Sequence, residues 1–236
     1  LDAISPDRPI LLRHQNGHAS VANSAALTSA GVDEQTPDPS GGTYVRDAQG
    51  NLSGVLLETA HEFVTSAAPE PTLDDMVRDI RLAIRSMRDY GLTGACDMMT
   101  GRFHLLNELR AYRLAAEAEQ DFRIGLYLQW RDVFGPRATP LDQIKAEIAA
   151  MDPSLCRVSG IKIFADGAIG ASTAAVREPY ATTGGLGTLI YEPAKLNQMV
   201  KTAHDAGYQV AVHAIGDRAV DHVLDAFEAT DEPGRH

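Results

Sequence analysis

The feature that most constrains the fold is a regular alternation of amphipathic helices and short apolar runs from Thr72 onward. The stretch TLDDMVRDIRLAIRSMRDYG places its apolar residues on one helical face, at the period of an α-helix. The strand-then-helix order then repeats, with predicted strands near positions 92, 122, 158 and 208. Repeated βα units pair as parallel strands joined by helical crossovers. The pattern predicts either an open doubly wound sheet or a (β/α)8 barrel.

No GxGxxG follows the first predicted strand, which disfavours a dinucleotide-binding sheet. We therefore predict an α/β protein in which residues 72–236 form a partial (β/α)8 TIM-type barrel of about four βα units. Residues 1–71 differ, with a strand-like PILLRHQ, a short helix in NSAALTSAG and a hairpin in TYVRDAQGNLSGVLLE. We predict that this segment is an α+β insert over the barrel mouth.

The charge and the hydropathy of the chain exclude two classes of partner. The formal net charge of −11 is spread along the sequence and disfavours nucleic acid and anionic lipid. No apolar run approaches the roughly 18 residues that span a bilayer. We expect neither nucleic acid nor a membrane as partner, and the cytoplasm is favoured although the compartment stays open. The chain begins with Leu1 rather than methionine, so we expect a piece of a longer protein.

A lysine interrupts the most apolar predicted strand, in the stretch GIKIFADGAIG. Lys162 lies between Ile161 and Ile163, where a cationic side chain is costly unless it is paired or neutralised. Its side chain could extend along the barrel rim into water. Alternatively, a desolvated amine could form a Schiff base, or could take up carbon dioxide and bind a metal as a carbamate. These interpretations remain open from the residues alone.

Other candidate residues lie next to predicted strand ends, where barrel enzymes place their chemistry. His213 ends the run YQVAVH and is either a zinc ligand or a hydrogen-bonded core residue. Asp217 suits the start of a helix, and Asp166 suits a turn next to the lysine strand. His18 lies in RHQNGHASVA, which is not an HExxH zinc motif.

Four stretches, taken together and in order, resemble a known family: NGHASVANSAAL, GGTYVRDAQGNLSGVLLE, GIKIFADGAIGASTAAVREPY and HAIGDRAVDHVLDAF. They resemble the amidohydrolase 3 branch of the metal-dependent amidohydrolase superfamily, which includes N-substituted formamide deformylases. The resemblance implies a distorted (β/α)8 barrel with one or two divalent metal ions, usually zinc. It also implies a metal-activated water that attacks the carbonyl carbon of amide-like, non-peptide small molecules, so that the carbon–nitrogen bond is hydrolysed.

The resemblance assigns roles to individual residues. It implies that Lys162 is a carboxylated metal ligand and that His213 is a second ligand. It suggests substrate-binding or supporting roles for His18, Asp166 and Asp217. The family's HxH pair, its next histidine and its proton-shuttle aspartate are absent from this chain, so the catalytic residue is unknown here. We expect the chain alone to be inactive and to bind zinc weakly or not at all.

Two alternatives from other classes remain. One is a Schiff-base lyase of aldolase type that uses Lys162 as nucleophile. The other is a non-catalytic domain that self-associates as a homo-oligomer through exposed barrel edges. The sequence does not identify the substrate in any of these cases.

Overall fold

The computed structural model describes residues 1–15, 17–230, 232, 234 and 236. They form two compact units, and each unit is assembled from separate parts of the chain. The first unit comprises Leu1–Pro69, Phe164–Asn197 and His213–Ala226, and the second comprises Glu70–Ile163, Gln198–Val212 and Phe227–His236. The N-terminal segment thus shares a unit with later segments that follow predicted strand ends. The division into residues 1–71 and 72–236 stays a prediction.

The first unit is built on a small antiparallel sheet. Its strands are paired in the order β1-β2-β4-β3, and each strand is antiparallel to its neighbour. The apolar side of this sheet packs into a core that includes Leu27, Tyr44, Leu56 and Val64. The strands and helices of residues 1–69 are β1 Leu11–Arg13, β2 Ala19–Ala22, α1 Ser24–Ser29, β3 Gly42–Arg46, β4 Leu52–Glu58 and α2 Thr59–Thr65.

The predicted hairpin is confirmed as β3 and β4. Its turn is held by Asp47, whose Oδ1 accepts hydrogen bonds from the amides of Gln49 and Asn51, each at 2.9 Å. Gly50 has φ of 91°, a conformation that glycine adopts without strain. The sequence analysis missed β2 and α2. β2 pairs with β4, where Ala19 lies opposite Leu57, and a local pattern does not show a pairing between residues so distant in sequence.

The second unit contains a sheet with the strand order β5-β6-β7-β8. β5 pairs with β6, and β6 with β7, in parallel, as the βα repeat predicts. The strands and helices from residue 73 onward are α3 Leu73–Asp89, β5 Gly94–Thr100, α4 Leu105–Ala118, β6 Arg123–Gln129, α5 Trp130–Val133, α6 Leu141–Ala149, β7 Cys156–Phe164, α7 Pro193–Asp205, β8 Gln209–His213 and α8 Asp217–Glu228.

A capping box forms the start of α3. The Thr72 hydroxyl accepts a hydrogen bond from the Asp75 amide, and the Asp75 carboxylate accepts one from the Thr72 amide. This reciprocal capping box satisfies two amides that the helix leaves without partners. Gly91, with φ of 80°, follows the end of the helix.

The fold is a mixed α/β fold. Within the described residues neither sheet closes on itself, because the end strands β5 and β8 are not neighbours in the strand order. The partial barrel therefore stays a prediction. Among the residues that the structure describes, no helix combines the length and the apolar character that a membrane span requires.

Candidate functional site

A fully buried carboxylate organises the first unit just after β7. Asp166 has a relative exposure of 0%. Its Oδ1 accepts a hydrogen bond from the Ile215 amide at 2.9 Å, and its Oδ2 accepts bonds from Gly216 at 2.7 Å and Ala175 at 2.8 Å. A buried carboxylate needs this kind of compensation. Asp166 is therefore more than a turn former, because it fixes the HAIGD segment after β8.

Position 216 of that segment requires glycine, because its backbone lies very close to the backbone of Ala175. A Cβ atom at this position would lie 1.9 Å from the Ala175 carbonyl oxygen. The same carbonyl accepts hydrogen bonds from the amides of Arg218 and Ala219, at 3.2 and 3.3 Å. The start of α8 is thus tied to the loop that follows β7.

The imidazole of His213 has a defined orientation. Its Nε2 lies 2.9 Å from the carbonyl oxygen of Gly167 and 4.0 Å from Oδ1 of Asp166. A carbonyl oxygen only accepts hydrogen bonds, so Nε2 carries a proton. In the neutral ring the lone pair is then on Nδ1, which is the state that a metal ligand requires.

His18 lies against His213 in the same unit. The two ring centroids are 4.8 Å apart, and Phe164 lies 5.4 Å from the His213 ring. The Nδ1 atom of His18 is 2.8 Å from Oε2 of Glu58. This hydrogen bond to the carboxylate raises the pKa of His18 above its usual value. The structure thus brings together three predicted site residues: His18, Asp166 and His213.

Glu58 is a residue of this site that the sequence analysis missed. It is buried, with 5% exposure, and has φ of 50° and ψ of −121°, which is unusual for a residue with a Cβ atom. Its Oε1 accepts a hydrogen bond from the Thr173 hydroxyl at 2.5 Å. A Cβ atom on Gly167 would lie 2.2 Å from both side chains, so only glycine fits there. The one feature of the sequence that could have pointed to Glu58 is its place directly after the apolar run VLL.

Asp217 is the first residue of α8. Its Oδ1 accepts hydrogen bonds from the amides of Arg177 and Arg218, each at 2.9 Å. These bonds give Asp217 a role in joining the loop to the helix start, as an aspartate in the first turn can do. A substrate-binding role for Asp217 stays a prediction.

Lys162 belongs to the second unit. It lies on β7 in register with Gln129 of β6, and only 8% of its surface is exposed. Burial lowers the pKa of its ammonium group to about 8. The side chain is therefore not a solvent-exposed rim lysine. A larger neutral fraction is what both carbamate formation and Schiff-base formation require.

The donors fit a divalent metal in kind but are incomplete in number. In the first unit the His213 imidazole is the kind of group that binds a metal, and in the second unit the Lys162 amine is the kind of group that forms a carbamate. Among the residues that the structure describes, however, no group of three or more His, Cys, Asp or Glu side chains is placed to hold a metal ion. A zinc site needs at least three protein ligands. These residues alone therefore do not complete one.

Comparison with known proteins places this arrangement in a family. The model of an amidohydrolase family, Amidohydro_3, matches residues 1–235. The chain belongs to this family, as its four motifs indicate.

Several curated proteins are similar over almost all of the chain. The protein YtcJ of Bacillus subtilis is 34% identical over 240 residues, which cover 100% of this chain and 44% of that protein. The N-substituted formamide deformylase of Arthrobacter pascens is 31% identical, over 97% of this chain and 42% of that protein. The chain therefore spans less than half the length of these relatives.

Two solved structures are also similar. Both are uncharacterized metal-dependent hydrolases, one from Pyrococcus horikoshii OT3 and one from Pyrococcus furiosus. The first has a TM-score of 0.63 and 25% identity, and the match covers 94% of this chain and 42% of that one. The second has a TM-score of 0.60 and 27% identity, with coverage of 94% and 44%.

Proposed function

We propose that this chain is part of a metal-dependent hydrolase that cleaves carbon–nitrogen bonds in small amide-like, non-peptide molecules. The observation that carries the proposal is the fixed imidazole of His213 on a chain of this family. The Gly167 carbonyl holds its Nε2 proton, and Asp166 anchors the backbone that follows. An imidazole held in one tautomer by an acceptor behind it is the usual arrangement of a histidine ligand.

We propose that the metal is zinc, that His213 and a carboxylated Lys162 are two of its ligands, and that further ligands come from outside this chain. When bound, a metal of this kind activates water and polarises a carbonyl oxygen. The chain's own residues would orient the ligands: the Gly167 carbonyl fixes the imidazole of His213. Burial keeps a fraction of the Lys162 amine neutral for reaction with carbon dioxide, and Asp166 fixes the segment next to His213. We further propose that β5 to β8 are part of a (β/α)8 barrel.

The substrate class follows from the named relative. The Arthrobacter pascens protein is named for its action on N-substituted formamides. We propose that this protein accepts a related small amide, without nucleic acid or membrane as partner. Asp217 and His18 are proposed to contribute to the substrate pocket or to support it.

The test is hydrolysis of N-butylformamide by the longer protein that carries this chain. We expect release of butylamine, loss of this activity after treatment with a chelator, and its return when zinc is added. A variant with Lys145→Ala serves as the control, because Lys145 is exposed on α6. An enzyme that keeps full activity after complete removal of metal would overturn the proposal.

The 236-residue chain alone is expected to behave differently. No three of its described His, Cys, Asp or Glu side chains are placed to hold a metal ion. The chain should therefore be inactive and should bind zinc weakly or not at all. Isothermal titration with zinc measures this directly. Tight binding of one zinc per chain would contradict the expectation.

The lowered pKa of Lys162 also favours a second candidate, a Schiff-base lyase of aldolase type. Incubation with pyruvate and borohydride would trap a covalent adduct on Lys162 if this candidate were correct. Recovery of only unmodified Lys162 peptide would exclude it for that carbonyl compound.

A non-catalytic, self-associating domain is the third possibility from the sequence. β5 and β8 are the end strands of the described parallel sheet, and free strand edges promote association. Light scattering of the chain would show a homo-oligomer in that case. A monomer over a range of concentrations would contradict it.

A further inference from the structure

We propose that Glu58 is a positioning residue, which holds His18 by its Nδ1 atom so that the Nε2 edge of the imidazole meets the substrate beside His213. The inference rests on the proposed function, because it assigns His18 to the substrate pocket of that hydrolase. Because His18 and Glu58 both lie in the N-terminal segment, this segment would contribute directly to substrate binding.

The hydrogen bond between His18 and Glu58 determines which ring nitrogen of His18 carries the proton. His18 Nδ1 and Glu58 Oε2 are 2.8 Å apart, and a carboxylate accepts hydrogen bonds but does not donate them. The proton of a neutral His18 ring is therefore on Nδ1, and the lone pair is on Nε2. A free imidazole has no such restriction, so the carboxylate selects the tautomer.

The surroundings of Glu58 fix both its backbone conformation and its side chain. Its backbone adopts φ of 50°, a region that residues other than glycine seldom occupy. The Thr173 hydroxyl donates to its second oxygen, and Gly167 leaves the space that the carboxylate fills. Such a conformation persists where the surroundings determine it, and it is common at binding and catalytic sites.

His18 differs in exposure from His61, another histidine of the same unit. His61 has 1% exposure, and its Nδ1 lies 2.9 Å from the buried Ser20 hydroxyl. The His18 side chain, in contrast, retains 12% exposure, whereas its partner Glu58 retains 4%. His18 is thus held from its buried side, and its ring lies 4.8 Å from that of His213.

The first experiment reads the tautomer of His18 and does not depend on activity. Nitrogen-15 NMR of histidine-labelled chain at alkaline pH, where imidazoles are neutral, should show His18 protonated on Nδ1. Glu58→Ala and Glu58→Gly should both remove this preference. The glycine variant fits φ of 50°, so it keeps the test available if the alanine variant fails to fold. Ser20→Ala is the matched control, because it breaks the other buried histidine contact and should leave His18 unchanged.

The second experiment measures hydrolysis of N-butylformamide by the longer protein. Glu58→Gly should lower kcat/KM by about 10- to 100-fold, the range that is typical for groups that orient metal-bound histidines. In a protein that already carries His18→Asn, the same change should cause no further loss, because Glu58 acts through His18.

The possible results of the two experiments distinguish the positioning role of Glu58 from the proposed function of the protein. An unchanged His18 tautomer in both Glu58 variants would overturn the positioning role. Additive losses in the double variant would show that Glu58 does not act through His18, which also overturns it. A wild-type protein that hydrolyses no amide but keeps the Nδ1 tautomer would overturn the proposed function and the substrate contact, while the Glu58–His18 pairing would stand.

Discussion

The carboxylate of Asp166 and the amide of Gly216 are 2.7 Å apart in the buried part of the first unit. This bond joins the loop after β7 to the HAIGD segment after β8, and two further amides, of Ala175 and Ile215, bind the same carboxylate. Because Asp166 has no exposed surface, water does not replace a lost bond. The orientation of the segment next to His213 therefore depends on the side chain of Asp166.

Asp166→Asn should destabilise the protein. The substitution turns one acceptor oxygen into an NH2 group that faces backbone donors, and it removes the negative charge that strengthens the remaining bonds. Hydrogen bonds to charged groups contribute about 1.5–3 kcal/mol each, so we expect a loss of about 3 kcal/mol in the free energy of unfolding. Urea denaturation measures it.

Asp47→Asn is the matched control for that measurement. Asp47 also accepts amide hydrogen bonds, from Gln49 and Asn51, but it lies in an exposed turn where water can substitute. A much smaller loss is expected. Equal losses for the two variants would contradict the importance of burial at Asp166.

Gly216→Ala should disrupt the start of α8. The added Cβ atom would overlap the Ala175 carbonyl oxygen, so the backbone must shift and the hydrogen bonds to Asp166 must lengthen. We expect a fall in melting temperature and, in the longer protein, a fall in kcat. Gly170→Ala, in the loop after β7, is the control, because nothing lies within 4 Å of a Cβ atom there. If both variants melted like the wild type, the close approach would have no energetic importance.

Lys162 makes stability depend on pH in a defined window. Its pKa is lowered from 10.5 to about 8 in the folded chain, so between these values the unfolded chain binds more protons. The free energy of unfolding of the metal-free chain should therefore rise as the pH increases from about 8 to 10.5. Below this window both states are protonated, and the cost of the buried charge is fully present.

Lys162→Met tests this dependence. Since one pKa unit corresponds to about 1.4 kcal/mol, the variant should gain up to about 3 kcal/mol over the wild type at neutral pH. The gain should shrink across the window and vanish above it. Urea titrations in carbonate-free buffer avoid carbamate formation. A gain that is independent of pH would show that the lysine is not desolvated as described.

Much of the fold could be predicted because periodicity is local. The αβ alternation located α3, α4, α6, α7 and the strands of the parallel sheet, and the turn chemistry of Asp47 and Gly50 located the hairpin. β2 and α2 were missed. The pairing of β2 with β4, and the closure of the second sheet into a barrel, depend on contacts between segments that are distant in sequence, which a local pattern does not encode.

A residue of the candidate site could be predicted only where its residue type was unusual for the strand or loop in which it lies. Lys162 was conspicuous in an apolar strand, and His213 was conspicuous at a strand end. Glu58 was not, because its importance comes from contacts with His18 and Thr173, which lie 40 and 115 residues away in sequence. The backbone contacts of Asp166 were hidden for the same reason.

The most direct test of the account measures metal and activity in the same samples. The longer protein, purified as wild type, Lys162→Ala, His213→Asn and the control Lys145→Ala, is analysed for zinc by mass spectrometry and for butylamine release from N-butylformamide. We predict that the wild type and the Lys145 variant hold zinc and are active, whereas the Lys162 and His213 variants lose both together. A Lys162→Ala protein that keeps its zinc and its activity would contradict the central claim.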